Sequence, residues 1–157
     1  MKKTLFVCCA LALALGAQAQ CKPVGDKIKT PWSEQVNPAN VLPEYPRPQL
    51  ERGDWQNLNG EWEYAIKPVG DVEPAILVPF AVESSLSGVQ KEVGENSELW
   101  YKRTFSVPSA WKNKDIMLNF GAVDWKADVF VNDILIGSHK GGFTPFSFNI
   151  TPYLTGK

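Results

Sequence analysis

Side chains two residues apart on an extended strand project from the same face, and Glu61 and Glu63 have that spacing. Two carboxyls about 5–5.5 Å apart are what retaining cleavage of a glycosidic bond requires, one as proton donor and one as nucleophile. The donor also needs its pKa raised by burial. Alternation with Trp62, Tyr64 and Ile66 accounts for both glutamates as the solvated side of a half-buried strand, and nothing in the pattern buries either. The pair therefore reads as a strand face rather than a catalytic centre.

His139 is the chain's one histidine. Zinc needs several converging ligands, and Cys21 is far away in sequence, so no metal site is expected. Ser84, Ser85, Ser87 and Ser138 offer hydroxyls for a nucleophile–histidine pair, but no G-x-S-x-G elbow accompanies them. His139 reads first as a structural or loop-orienting residue, with a ligand contact as the alternative. The run Glu83 to Gly88 reads as a turn whose hydroxyls bond the backbone.

Asp124 and Trp125 end a strand and are the most suggestive pair. An indole face can stack on a pyranose ring while a neighbouring carboxylate accepts sugar hydroxyls. A small domain with six tryptophans nevertheless spends most of them on its core, so Trp125 is assigned to packing and Asp124 to loop hydrogen bonding, with the sugar contact as the alternative. Trp55, Trp62, Trp100 and Trp111 are assigned to core or arm contacts. Gly141 and Gly142 lack the lysine–serine pair and following helix of a phosphate loop, and are read as a bend before Phe143. Asn149, Ile150 and Thr151 form a glycosylation sequon, a pattern common by chance.

Runs of alternating apolar residues must position these groups. Candidate strands cover 57–66, 75–80, 100–107, 115–120, 127–131, 134–138 and 143–150, with Asn132 and Asp133 as a two-residue turn. No helical period of useful length interrupts them, so the expected fold class is all-β, a β-sandwich or jelly roll. Upstream, Pro23, Pro31, Pro38, Pro43, Pro46 and Pro48 exclude an interior strand or helix from residues 20–50. That stretch is expected to be an extended arm on the domain surface, held by Trp32 and Tyr45, with a loose linker as the alternative. The closing TPYLTGK reads as a short helical or 3₁₀ turn.

The first residues place Lys2 and Lys3 before an apolar run from Leu5 to Leu15 and an Ala17-Gln18-Ala19 site, the pattern of a secretory signal at 1–19. The run is too short to span a bilayer. The expected location is therefore a bacterial periplasm or the cell exterior. Cys21 suggests a lipid anchor, but Gln20 stands where that signal wants a small residue. Removing the leader takes Cys8 and Cys9 with it, which leaves no internal disulfide. The whole chain carries a formal net charge of -1, and loss of Lys2 and Lys3 leaves 14 basic against 17 acidic residues. That balance disfavours nucleic acid and suits a neutral ligand.

Phe120 to Trp125 (FGAVDW), Val129 to Asn132 (VFVN), Gly137 to His139 (GSH) and Gly141 to Phe146 (GGFTPF) stand in order, preceded by NLNGEWEY at 57–64, VPFAVESSLSG at 78–88 and LWYKRTFSVP at 99–108. Together these blocks resemble the sugar-binding domain that opens glycoside hydrolase family 2 enzymes of the β-galactosidase kind. The resemblance implies a galactose-binding-like jelly roll over 51–157, incomplete at its C-terminal strands, and Gly is usual where Asp133 stands. It implies β-linked glycans or oligosaccharides as partners, immunoglobulin-like and barrel domains downstream, and no cofactor. The catalytic glutamates would lie on that barrel, which leaves this piece inactive alone. Ser85, in the loop that reaches the sugar in such enzymes, would join Asp124, Trp125 and His139 as substrate contacts, although serine replaces a larger amide side chain there. A stand-alone carbohydrate-binding or adhesion module is the alternative.

Overall fold

The computed structural model describes residues 21–68 and 71–155. The expected leader at 1–19 lies outside the described residues. Among the described residues seven strands form: β1 (Gly60–Lys67), β2 (Glu73–Val78), β3 (Glu98–Lys102), β4 (Met117–Phe120), β5 (Lys126–Val131), β6 (Ile134–Lys140) and β7 (Phe146–Asn149). Every ladder is antiparallel, and only 3₁₀ turns supplement the strands among the described residues. The all-β expectation holds. The ladders form sheets ordered β2-β1-β3, β4-β7 and β5-β6, and do not by themselves trace a jelly-roll winding. Two compact units emerge, one ending at Phe105 and the other beginning at Ser106.

In the first unit, β1 is the central strand, and alternation along its neighbour β2 sends successive side chains to two different cores. Tyr64 on β1 and Ile76 on β2 pack with Val82, and Trp62, Ile66 and Leu99 join them. Ile76 is 0% exposed, a burial that stabilises by roughly 1.5–3 kcal/mol. The opposite face carries Leu77 and Ala75, which pack with Cys21, Val41 and Val36 of the arm. The proline-rich segment is therefore a packed cover. Ala65 is buried too, on a face the alternation pattern assigns to solvent. Glu61 shares that face and accepts a hydrogen bond from the Cys21 N–H at 2.6 Å. Glu63 is exposed, 4.0 Å from the Lys102 ammonium.

Of the two expected arm anchors, Tyr45 packs edge-on against Trp55 at 4.8 Å, whereas Trp32 is 68% exposed. Trp32 lies in a 3₁₀ turn, Pro31–Gln35, whose buried residue is Ser33, so its neighbour is turned outward. Trp100 is also exposed rather than core, on the edge strand β3. β1 itself is entered under restraint, because Arg103 Nη1 donates to Leu58 O at 2.8 Å and Asn59 O at 3.0 Å.

The loop after β2 is organised by Ser87, which is 0% exposed. Its hydroxyl lies within donating distance of Ser84 O (2.8 Å) and Val82 O (3.1 Å), and accepts from the Val89 N–H at 3.0 Å and the Gln90 N–H at 3.4 Å. Ser84 caps the Ser85–Ser87 turn by accepting from the Ser87 N–H.

In the second unit, β5 and β6 are joined through Asn132 and Asp133, whose φ angles of 49° and 64° match the left-handed pair of a type I′ turn. The hairpin lays one face against the β4–β7 ladder. There the Phe146 ring stacks on Phe120 at 4.8 Å and meets Phe148 edge-on. Ile150, 1% exposed, closes this core, its N–H donating to Ile116 O at 2.9 Å.

Ser87→Ala would leave the Val89 and Gln90 amides without their acceptor, and a loss of about 1–3 kcal/mol is expected in chemical denaturation. Burial, with the Glu61 carboxylate beside it, pushes the Cys21 thiol up to about 11. Only the thiolate reacts with alkylating reagents. Cys21 labelling, read by mass spectrometry of the native chain, should therefore be slow at pH 8, climb toward pH 11, and become fast at pH 8 once denaturant exposes it.

Candidate functional site

The β5–β6 ladder carries one irregularity that decides which side chains meet. Pairing runs from Val131↔Ile134 and Phe130↔Leu135 to Val129↔Gly137, so Ile136 is an extra residue on β6. A bulge of this kind shifts every later pair by one. Beyond it, Ala127 faces His139 and Lys126 faces Lys140. Gly137 sits directly after the bulge, where an added Cβ would lie 2.3 Å from the Phe148 ring. Only glycine permits that approach.

The shifted register turns His139 inward. Its ring stacks on Phe146 at 4.2 Å and 15°, and Nε2 lies 3.1 Å from Thr144 Oγ1. The histidine thus ties the 141–145 bend to the aromatic core, as its structural reading anticipated. The same shift turns Lys140 outward, onto the face that already carries Lys126, with Asp128 and Ser138 next along it. Asp128 accepts a hydrogen bond from Ser138 and lies 3.4 Å from Lys126; these two, in that order, lower its pKa.

At the open end of the hairpin the ladder continues through the Gly141 N–H, which donates to Trp125 O at 2.7 Å. Gly141 has φ of 124°, a conformation side chains disfavour. This bond brings the 141–145 bend against Asp124 and Trp125, which are joined by a cis peptide bond. Asp124 Oδ1 lies 2.7 Å from the position a Cβ would take on Gly142. Trp125 is 62% exposed, so its indole is a surface feature and the core reading of this residue is corrected. The Lys140 ammonium stands 5.8 Å from the centre of that ring, within cation–π range. Phe143, 97% exposed, projects from the same bend.

Asp124, Trp125 and His139 are therefore assembled at one end of one hairpin. Ser85 belongs to the other compact unit, where it is buried and its hydroxyl donates to Val24 O. The Val24 N–H returns a bond to Ser85 O at 3.1 Å, and Lys27 Nζ donates to Glu83 O at 2.9 Å, so the arm holds this loop down. An open cleft of about 250 Å³ lined by Lys67, Pro68, Asn96 and Glu98 contains none of the sequence candidates. No group of three or more His, Cys, Asp or Glu capable of holding a metal occurs among the described residues. Lys140 escaped the sequence reading. Its position follows from counting outward from the Asn132–Asp133 turn only when the bulge at Ile136 is known.

The sequence profile described as glycosyl hydrolases family 2, sugar binding domain, matches residues 78–157. The chain belongs to this family. The match encloses Ser85, Asp124, Trp125 and His139 and excludes Glu61 and Glu63. The β-galactosidase of Thermoanaerobacter pseudethanolicus is 31% identical over 110 residues, 64% of this chain and 15% of its own length. The β-glucuronidase of Streptococcus agalactiae is 32% identical over 97 residues, 57% of this chain and 16% of its own length. In solved structures, the β-D-glucuronidase of Dictyoglomus thermophilum aligns with a TM-score of 0.50 at 29% identity, over 71% of this chain and 19% of that one. This family 2 sugar-binding domain thus spans about 15% of the length of the curated relatives it matches.

Gly137→Val would drive a side chain into the Phe148 ring, and overpacking of this kind costs about 1–3 kcal/mol. The expected result is a lower melting temperature, with loss of the His139–Phe146 ring-current shift in the proton NMR spectrum.

Proposed function

We propose that this chain is the sugar-binding part of an exported retaining β-glycosidase, acting on β-galactosides or related β-linked glycans. In this reading it holds or shapes the glycan while two glutamates on a downstream barrel, beyond immunoglobulin-like strands, carry out the cleavage. The observation that carries it is the exposed indole of Trp125 beside the Asp124 carboxylate, for which no partner occurs among the described residues. An apolar ring face and a free acceptor are the two groups that polar ring ligands need. Glu61, bonded to the Cys21 amide, and Glu63, exposed beside Lys102, argue for a non-catalytic role of the chain itself. Family membership and the small share of each relative that is covered support the division between binding here and chemistry elsewhere. Export is supported by the Lys2–Lys3 start, the apolar run and the Ala17–Ala19 site. Burial of the Cys21 thiol supports an unlipidated chain.

Two measurements test this reading. The purified chain should show no turnover of chromogenic β-galactosides or β-glucuronides, and turnover that persists through repeated purification would sink it. Titration calorimetry with methyl β-galactoside should show weak binding that Trp125→Ala reduces about 10-fold or more, the usual scale for an aromatic anchor. Strong glycan binding by a gene product that ends without a barrel would instead favour a stand-alone binding module.

A further inference from the structure

The outer face of the β5–β6 hairpin carries a charge arrangement that neutral-sugar binding does not explain. Lys126 and Lys140 are direct cross-strand partners, and like charges directly opposite on a ladder destabilise it. Lys126 is offset by Asp128 at 3.4 Å. Lys140 has no carboxylate partner among the described residues; its contact is the Trp125 ring. The bulge at Ile136 is what sets both ammonium groups on one face and places one of them over the exposed indole. A pyranose resting against Trp125 would therefore share this corner with the Lys140 ammonium, 5.8 Å from the indole centre, and with the Asp124 acceptor near the 141–142 bend.

We infer that the Trp125–Lys140 corner is a surface subsite for a pyranose bearing an anionic substituent, a carboxylate or a sulfate. Trp125 supports the ring, Lys140 pairs with the anion with Lys126 adding to the local positive field, and Asp124 accepts from ring hydroxyls. A lysine ammonium is a point charge with three donors and suits either anion. This rests on the reading of Trp125 as a sugar platform and adds to it the class of sugar and the residue that selects it. The interaction is one of binding and involves no covalent step.

Three probes that share one ring separate the possibilities: methyl β-D-glucoside, methyl β-D-glucuronide and glucose 6-sulfate, titrated into the whole chain by NMR at low and at high salt. The expected result is that at least one anionic probe binds about 10-fold more tightly than methyl β-D-glucoside, with the advantage shrinking at high salt. Which anionic probe binds better identifies the substituent. Lys140→Gln should bring the anionic probe down to the affinity of methyl β-D-glucoside, with the folded NMR spectrum retained. Equal affinity for all three probes, or an advantage that survives Lys140→Gln, would overturn this inference and leave Trp125 as a platform for neutral sugars. No binding of any probe, or binding untouched by Trp125→Ala, would overturn the platform reading and this inference together.

Discussion

One extra residue in β6 governs the second unit. Ile136 has no partner on β5, and from that point to the end of the hairpin the pairing is displaced by one. Side chains alternate with a period of two, so such a displacement exchanges the faces of every β6 residue beyond it. His139 turns inward onto Phe146 and Lys140 turns outward over Trp125. An unbulged ladder would put His139 opposite Lys126, leave the imidazole in solvent and send an ammonium group toward the phenylalanines. Burying an unpaired ammonium in an apolar core is far more costly than leaving it in water. The phenylalanine cluster and the bulge therefore enforce one another, and Gly137 makes the arrangement possible by admitting the Phe148 ring.

The first unit solves a different problem. A three-stranded sheet with apolar residues on both faces cannot leave either in water. One face is covered by the loop that follows β2, drawn together by the Ser87 hydroxyl, and the other by the arm through Cys21, Val36 and Val41. The arm also bonds to that same loop through Val24 and Ser85. Prolines suit this role, since a covering segment runs extended and needs no ladder of amide donors. Charge pairs add little to the frame. Lys91 and Glu73, bonded at 2.6 Å, are both about half exposed and join the Tyr64 hydroxyl in a surface clamp over the core.

Exposed polar and aromatic groups and structural contacts divide between the two ends of one hairpin. At the closed end, Asn132 and Asp133 make the turn and Asn132 Nδ2 bonds Tyr153 O at 2.6 Å, which anchors the segment after β7. At the open end, the Gly141–Trp125 bond holds the strand exit against the bend, and the groups exposed there are an indole, a carboxylate and an ammonium. Groups held by paired backbone rather than by a free loop would meet a ligand at a lower ordering cost.

Much was legible in the residues alone. Alternation located all seven strands, the Asn132–Asp133 turn followed from its residue types, and the ordered blocks from residue 57 onward pointed to the family now established by the match over 78–157. These are local properties, set by side-chain period and turn chemistry over a few residues. The sequence also marked Asp124, Trp125 and His139, but assigned Trp125 to packing, Asp124 to loop hydrogen bonding and His139 first to a structural role. Tertiary structure decided those points, together with the burial of Ala65, the exposure of Trp32, the bonding of Ser85 to Val24 and the placing of Lys140 over the indole. Each depends on which distant segment covers a face or on a single unpaired residue in a ladder, and neither leaves a trace in the spacing of residues along the chain.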